Sequence, residues 1–419
     1  MPQRVLIVGG GLAGLALAQG LKKATPSIPF RIFERDSSAA FRAQGYRIRI
    51  SGAALKTLLP ASVFEAFEAT SNNLIQPGHA IDALTGKPNP EAFMPGPPPG
   101  AAPNAMKPYN VDRAVLRNVL LQGLENDVSY EKKFKAYEVL EDNTVQVSFA
   151  DGTVERGTLL VGADGVRSGI RKQLLPDFPL LDTEGRSVFG KTDLTEEIIA
   201  KLPKEYLNGM CLASVPGPAA ENPTKLLFEV MRFDPAARSL GLGVPADYIY
   251  WVLCSREDVT DTKVAGISKL LSLSSSESAE LAKGLMQDWD ESVRAITNSP
   301  NDGSTATLAF FACTKDGLPA SWSRLRDEHA DMPVTLIGDA AHPMPPVGGV
   351  GANSAFQDSL DLFQELISQS NDKALQAAAL AKYEKLMVER VGDAVEKSSS
   401  GAVRFFGMKP QSELKAVTL

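Results

Sequence analysis

The sequence predicts an α/β protein: a doubly wound parallel sheet, a second domain built on a mixed sheet, and a C-terminal helix. Three observations predict it. The chain opens on a buried strand, a helix and a second strand, at Arg4–Val8, Leu12–Lys23 and Pro29–Glu34. A glycine-rich turn joins the first two. Beyond residue 180 the chain changes character, to successive short runs that read as strands.

The 419 residues exceed one compact core and suit two closely packed domains. A 44% hydrophobic and 22% charged composition is that of a globular chain. The net charge of −7 offers no footprint for nucleic acid or anionic lipid. Cys211, Cys254 and Cys313 are odd in number, far apart and form no CxxC pair. They point away from disulfides and zinc and towards a reducing, cytoplasmic location. His79, His329 and His342 are equally scattered, so no metal site is expected. The uncharged run Val5–Leu21 is broken by Gly9-Gly10-Gly11, unlike a signal peptide, and no run suits a membrane span.

Further along, Pro88–Pro103 is too rich in Pro, Gly and Ala for helix or central strand, and reads as an exposed loop or a lid. Asp112 is an N-cap candidate for a helix reaching Leu124. Lys135–Leu140, Thr144–Phe149 and Thr153–Gly157 read as a β-meander turned at Asp142-Asn143 and Asp151-Gly152. Thr158–Val161 is a buried strand. Arg186–Thr192, Lys225–Phe233, Ser239–Val244, Tyr248–Ser255 and Thr305–Cys313 read as strands of the second sheet, with a helix near Ser278–Ile296. Met332–Ile337 returns to a buried strand. Helices are expected at Ser354–Ser368 and Ala374–Glu396.

The first motif is Gly9-Gly10-Gly11-Leu12-Ala13-Gly14, a GxGxxG between strand and helix. Its glycines permit a tight turn and close backbone approach, and the helix N-terminus offers free N–H groups to a pyrophosphate. Glu34 closes the second strand, about 20 residues on, where a carboxylate takes ribose hydroxyls and disfavours a 2′-phosphate. The motif alone leaves NAD and the AMP half of FAD open. The second motif is Gly162-Ala163-Asp164-Gly165-Val166-Arg167-Ser168. The third is Gly338-Asp339-Ala340-Ala341-His342-Pro343-Met344-Pro345-Pro346-Val347-Gly348-Gly349-Val350-Gly351-Ala352-Asn353. It places a carboxylate at a strand tip, then a Pro/Gly loop, then a helix N-terminus able to stabilise negative charge. Physically this is either a polyol and ring site or an ordinary capped loop.

In this order, and with Asp112-Arg113-Ala114-Val115-Leu116-Arg117 between the first and second, these motifs resemble the class A FAD-dependent monooxygenases, the aromatic hydroxylase family. The Met-Pro-Pro-x-x-Gly-x-Gly-x-Asn form and the Arg-x-x-x-Arg helix are most similar to the tetracycline-inactivating branch. The resemblance covers roughly residues 1–180 and 330–400 and is weak across the middle. It implies a Rossmann-like FAD-binding domain of the glutathione-reductase and p-hydroxybenzoate-hydroxylase type over 1–70, 105–178 and 331–373. A substrate domain would take 71–104 and 179–330, and a C-terminal helical segment 374–419.

The resemblance further implies site roles. Gly9, Gly11, Leu12, Ala13 and Gly14 would hold the pyrophosphate. Glu34 would bind the adenosine ribose with Arg35 beside it, and Arg113 and Arg117 would line the phosphate and ribose side. Asp164 would serve FAD and the nicotinamide coenzyme, and Asp339 the ribityl chain or pyrophosphate. Pro346, Gly349, Gly351, Ala352 and Asn353 would lie against the isoalloxazine edge. Within Gly45-Tyr46-Arg47-Ile48-Arg49, Arg47 would contact the flavin. Where the family has Gly-Gln-Gly, this chain has Gly349-Val350-Gly351. The implied activity is hydroxylation or epoxidation of a small aromatic or heterocyclic metabolite of secondary metabolism. It would use NADPH or NADH and O2 through a flavin C4a-hydroperoxide.

No catalytic base is evident, and the oligomeric state is open. Substrate contacts are expected from the middle sheet, near Phe228, Met231, Arg232, Tyr250 or Phe310. A flavin oxidase or reductase without oxygen insertion is the alternative. Gly185–Thr192 also fits the Walker A pattern, but Leu180–Glu184 is a poor strand and Arg186–Phe189 itself reads as one, so phosphate binding is not expected there.

Overall fold

The structure, a computed structural model, describes residues 3–38, 46–72, 78–89, 108–368 and 373–417. Residues 90–103 of the Pro-rich loop, and Gly45, lie outside the described residues.

Val5–Val8 is buried throughout and forms the centre of a five-stranded sheet. Leu159–Gly162 and then Val334–Leu336 flank it on one side, Phe30–Phe33 and then Val128–Ser129 on the other. Every pairing is parallel, which explains why these strands are continuous apolar runs rather than alternating ones. The helix Leu12–Lys23 packs against Val350–Ile367 and Arg113–Leu121. A three-stranded antiparallel sheet, Phe134–Val139, Val145–Phe149 and Val154–Gly157, also packs into this core. There the Phe33 and Phe149 rings meet at 4.8 Å.

The second sheet has seven strands and is mixed. Its path runs Ala306–Cys313, Leu180–Asp193, Tyr248–Arg256, Lys225–Met231, Met210–Ser214 and His79–Asp82, with Lys415–Ala416 paired to Leu180–Asp193. Alternation assigns its two faces. Val188, Phe228, Val230, Ile249, Trp251 and Leu253 pack on the helices Ser275–Leu285 and Glu291–Asn298. Phe189, Met231, Tyr248 and Tyr250 form a separate cluster on the opposite face, against Tyr46. Tyr46 belongs to the chain entering a two-stranded ribbon, Arg47–Ile50 paired antiparallel with Tyr109–Asp112. The ribbon thus runs along the seam between the two sheets.

The structure corrects several expectations. Ser239–Val244 is not a strand, because Gly241 and Gly243 take left-handed backbone (φ 70° and 73°). The helix expected near Ser278–Ile296 is two helices, since Asp290 accepts the Ser292 N–H and starts the second. Leu180–Glu184 is strand after all, with a register shift between Asp182 and Arg186 where Glu184 has φ 57°. The helix expected from Ser354 begins at Val350, so Gly351, Ala352 and Asn353 lie in its first turn. The strand Met210–Ser214 and the helix Gly317–Glu328 were not expected.

Candidate cofactor and active site

Four adjacent parallel strands end at four chemically distinct loops. Val5–Val8 leads to Gly9, Phe30–Phe33 to Glu34, Leu159–Gly162 to Asp164, and Val334–Leu336 to Asp339. Ligands of open parallel sheets bind outside such carboxyl ends, where the strand order reverses.

The glycine loop is shaped for close approach. Gly9 has φ +116°, and a Cβ there would sit 2.1 Å from the Ala163 carbonyl oxygen. A Cβ on Gly14 would meet the Gly9 carbonyl oxygen at 2.2 Å, so this glycine lets helix and strand touch. Gly11 differs: a Cβ there meets nothing within 4 Å. It caps the helix Leu12–Lys23 without any side-chain hydrogen bond, and the first turn carries no acidic residue. Space and a free positive helix end therefore coincide at Gly11.

Glu34 is nearly buried, and its carboxylate is already oriented. Gly10 N–H donates to one oxygen at 2.8 Å and Asp36 N–H to the other at 3.0 Å. Arg117 Nε donates to the Gly10 carbonyl at 2.9 Å, and its guanidinium lies 3.9 Å from Glu34. Arg113 stacks over the Tyr46 ring at 5.3 Å. Arg35 is exposed.

Asp164 accepts the Gly169 N–H at 2.8 Å with one oxygen, while its other, buried oxygen has no hydrogen-bond partner among the described residues. Burial raises its pKa despite the hydrogen bonds it accepts. Arg171, nearly fully buried, ties this loop to the next: it donates to the carbonyls of Val166 (2.5 Å), Asp339 (3.2 Å) and Ala340 (2.9 Å). The Asp339 side chain is solvent-accessible, yet desolvation by its surroundings raises its pKa against the pull of His342, Arg113 and Arg171.

Gly349 (φ 66°) caps Val350–Ile367, again without a side-chain cap and with no acid in the first turn. Asn353 fastens this helix start to the ribbon. It accepts the Ser51 N–H at 2.8 Å and donates to the carbonyls of Gly349 (2.8 Å) and Arg49 (3.4 Å). Pro346, exposed, lies in the loop before it.

The donor set suits FAD: two open helix N-termini for negative charge, a held carboxylate for ribose hydroxyls, and an unpartnered Asp164 oxygen. Residues 315–398 match the family model described as an FAD binding domain, and residues 7–74 the one described as an NAD(P)-binding Rossmann-like domain. A dual O-methyltransferase/FAD-dependent monooxygenase, CTB3 of Cercospora beticola, is 35% identical over 97% of this chain. The chain is similar to the class A FAD-dependent monooxygenases in sequence and in fold. It spans about half the length of the first curated relatives it matches, 46% in the case of CTB3. A Photorhabdus luminescens protein assigned as an FAD containing monooxygenase superposes with TM-score 0.73 at 25% identity, over 97% of this chain and 99% of that one. Tetracycline destructase Tet(51) shares the fold, with TM-score 0.62 at 17% identity over 95% and 89% of the two chains.

The expected substrate residues separate by face. Phe228 is fully buried in the helix-side core, and Arg232 is exposed, donating to the Leu207 carbonyl at 3.2 Å. Neither borders the ribbon. Met231 and Tyr250 lie in the ribbon-side cluster with Phe189, whose ring meets Tyr46 at 5.4 Å. Phe310 packs with Cys254, Phe406 and Met408 farther along that face. Between these two clusters Val252 and Leu308 are only partly buried. A cavity of about 510 Å³ between His79 and Tyr206 lies at the sheet's outer edge, away from the glycine loops.

The Arg47 guanidinium is nearly buried against Glu229 of the second sheet, and Arg49 is the more exposed of the two. Sequence reasoning missed Glu229, Arg171 and the buried His342–Asp358 pair, since isolated charged residues inside strands and helices carry no spacing signal.

Proposed function

We propose that this chain oxygenates a small aromatic or heterocyclic metabolite with O2 and NADPH or NADH, placing one oxygen in the product and releasing the other as water. The observation that carries the reading is the meeting of four strand-end loops, with open helix N-termini and an accessible Asp339, beside an aromatic and aliphatic sheet face. FAD, when bound, supplies the redox and oxygen chemistry.

The chain's own residues bind and orient. The Gly11–Gly14 turn takes the pyrophosphate, with Gly9, Leu12 and Ala13 shaping it. Glu34 takes the adenosine ribose, flanked by Arg35, Arg113 and Arg117. Asp339 takes the ribityl chain, and Asp164 the coenzyme side. Pro346, Gly349, Gly351, Ala352 and Asn353 form the edge for the ring, where the Val350 helix end stabilises negative charge. Arg47 acts at that ring from the ribbon.

Residues 1–70, 105–178 and 331–373 serve the cofactor, and 71–104 and 179–330 the substrate. The 374–419 segment braces both. Val252, Leu308 and Tyr250 form the apolar floor that excludes water from the reaction. The three cysteines are free and buried, which suits a reducing compartment such as the cytoplasm. Among the described residues no helix is long and apolar enough to cross a membrane.

Turnover of a phenolic substrate panel under ¹⁸O2 tests the reading. One ¹⁸O atom per product, with NAD(P)H consumed in equal amount, supports it. Substrate oxidised without label, with hydrogen peroxide released, refutes it in favour of an oxidase.

A further inference from the structure

The ribbon is gripped from the second sheet by one carboxylate. Glu229 lies on Lys225–Met231, and its side chain is 4% exposed. It accepts from Arg47 Nη2, from Arg49 Nη2 at 3.4 Å and from Asn110 Nδ2 at 3.0 Å. Asn110 in turn accepts Arg49 Nε at 3.0 Å. All three donors come from the two ribbon strands.

The arrangement is charge-imbalanced. Two guanidiniums face one carboxylate, leaving one net positive charge. The neighbouring Asp112 does not offset it, because it is paired with Lys191. Tyr248 and Tyr250, the phenols beside Arg47, are held neutral by burial. Arg47 Nε is buried without a partner among the described residues, so Glu229 carries most of the compensation for that side chain. Through the Arg49 carbonyl, the same ribbon touches Asn353 in the first turn of Val350–Ile367.

We propose that Glu229 is a positioning residue for the cofactor: it aligns Arg47 and Arg49 and sets the net charge that the ribbon presents to the flavin. This rests on the reading that FAD lies between the ribbon and the Val350 helix. Reduction adds negative charge to the flavin, and positive charge in a low-dielectric seam favours the reduced form. Glu229 holds that bias to one charge rather than two. The second sheet therefore tunes a cofactor that it does not itself bind.

The test is the midpoint potential of bound flavin in the wild-type protein and in Glu229→Gln, Glu229→Asp and Arg49→Met. Glu229→Gln keeps the shape and loses the charge, so its potential rises. Arg49→Met loses one positive charge, so its potential falls. Glu229→Asp keeps the charge and returns close to wild type, which a purely structural role would not require. Wild-type potentials in both Glu229→Gln and Arg49→Met, with flavin retained, overturn the proposal. Should Glu229→Gln fail to fold, Arg49→Met decides: an unshifted potential there overturns it. A wild-type protein that takes up no flavin refutes the cofactor reading instead.

Discussion

Lys191 and Asp112 pair across the seam between the two sheets, with Lys191 Nζ 2.5 Å from Asp112 Oδ2. The same oxygen accepts the Tyr248 hydroxyl at 2.8 Å. The other oxygen caps the helix that carries Arg113 and Arg117, accepting the N–H groups of Ala114 (2.8 Å) and Val115 (3.2 Å). One buried carboxylate thus joins the second sheet to the helix that carries Arg113 and Arg117. Lys191 is also the lysine of the Walker-like pattern, yet it sits inside the strand Leu180–Asp193, where no loop can cradle phosphate.

Lys191→Met therefore costs stability, on the order of 1–3 kcal/mol from the underpaired Asp112, read as a lower urea midpoint. ATP titrated calorimetrically gives no binding heat to the variant or to the wild type. ATP binding that depends on Lys191 would reverse this assignment.

Gly11→Ala and Gly14→Ala separate cofactor binding from folding. The added methyl at Gly11 meets open space, so the protein folds normally but loses FAD affinity, about tenfold or more for a loss of ~1.4 kcal/mol. At Gly14 it strikes the Gly9 carbonyl, so thermal stability itself falls by several kcal/mol, about the cost of overpacking. Equal FAD affinity in Gly11→Ala and wild type would remove the pyrophosphate from this loop.

Asn353→Asp tests the ring edge. The aspartate cannot donate to the carbonyls of Gly349 and Arg49, and it brings a negative charge to the helix start. FAD affinity drops about tenfold, for roughly 1–2 kcal/mol in lost hydrogen bonds, and anaerobic reduction by NADPH slows. Flavin reduction at the wild-type rate would place the ring elsewhere.

The parallel sheet was legible because its strands are short apolar runs ending in glycine or acid, and because glycine spacing marks a turn that few other structures need. The helix Leu12–Lys23 falls where its pattern places it. Less legible was anything set by tertiary contact. Ser239–Val244 has the apolar spacing of a strand, but two left-handed glycines override it. Val350 starts its helix within a glycine run because Asn353 holds that first turn to the ribbon, a contact over 300 residues away in sequence. Glu229 looked like any strand residue until the ribbon brought Arg47 and Arg49 to it.

The buried His342–Asp358 pair sets a pH dependence of stability. His342 Nε2 lies 2.6 Å from Asp358, which also accepts the Gly338 N–H at 2.7 Å and an Arg390 N–H at 2.9 Å. Burial alone would lower the His342 pKa, but Asp358 outweighs it and holds the value above 6.5. Burial would raise Asp358, but His342 and Arg390 outweigh it and hold the value below 3.8. The His342 contribution is thus complete below pH ~6.5 and lost as pH rises through its folded value. The Asp358 contribution is present above pH ~4 and lost as pH falls further. Urea midpoints of the wild type therefore fall more steeply than those of His342→Gln as pH rises above ~6.5. Parallel profiles would show the imidazole to be neutral in the fold.

The most direct measurement is FAD titration of the apoprotein, followed by quenching of flavin fluorescence. Saturation at one FAD per chain, with affinity lost in Gly11→Ala while its unfolding midpoint is kept, is the predicted result. No uptake of FAD by a folded wild-type chain, or equal uptake by Gly11→Ala, would contradict the site built here from the four strand ends.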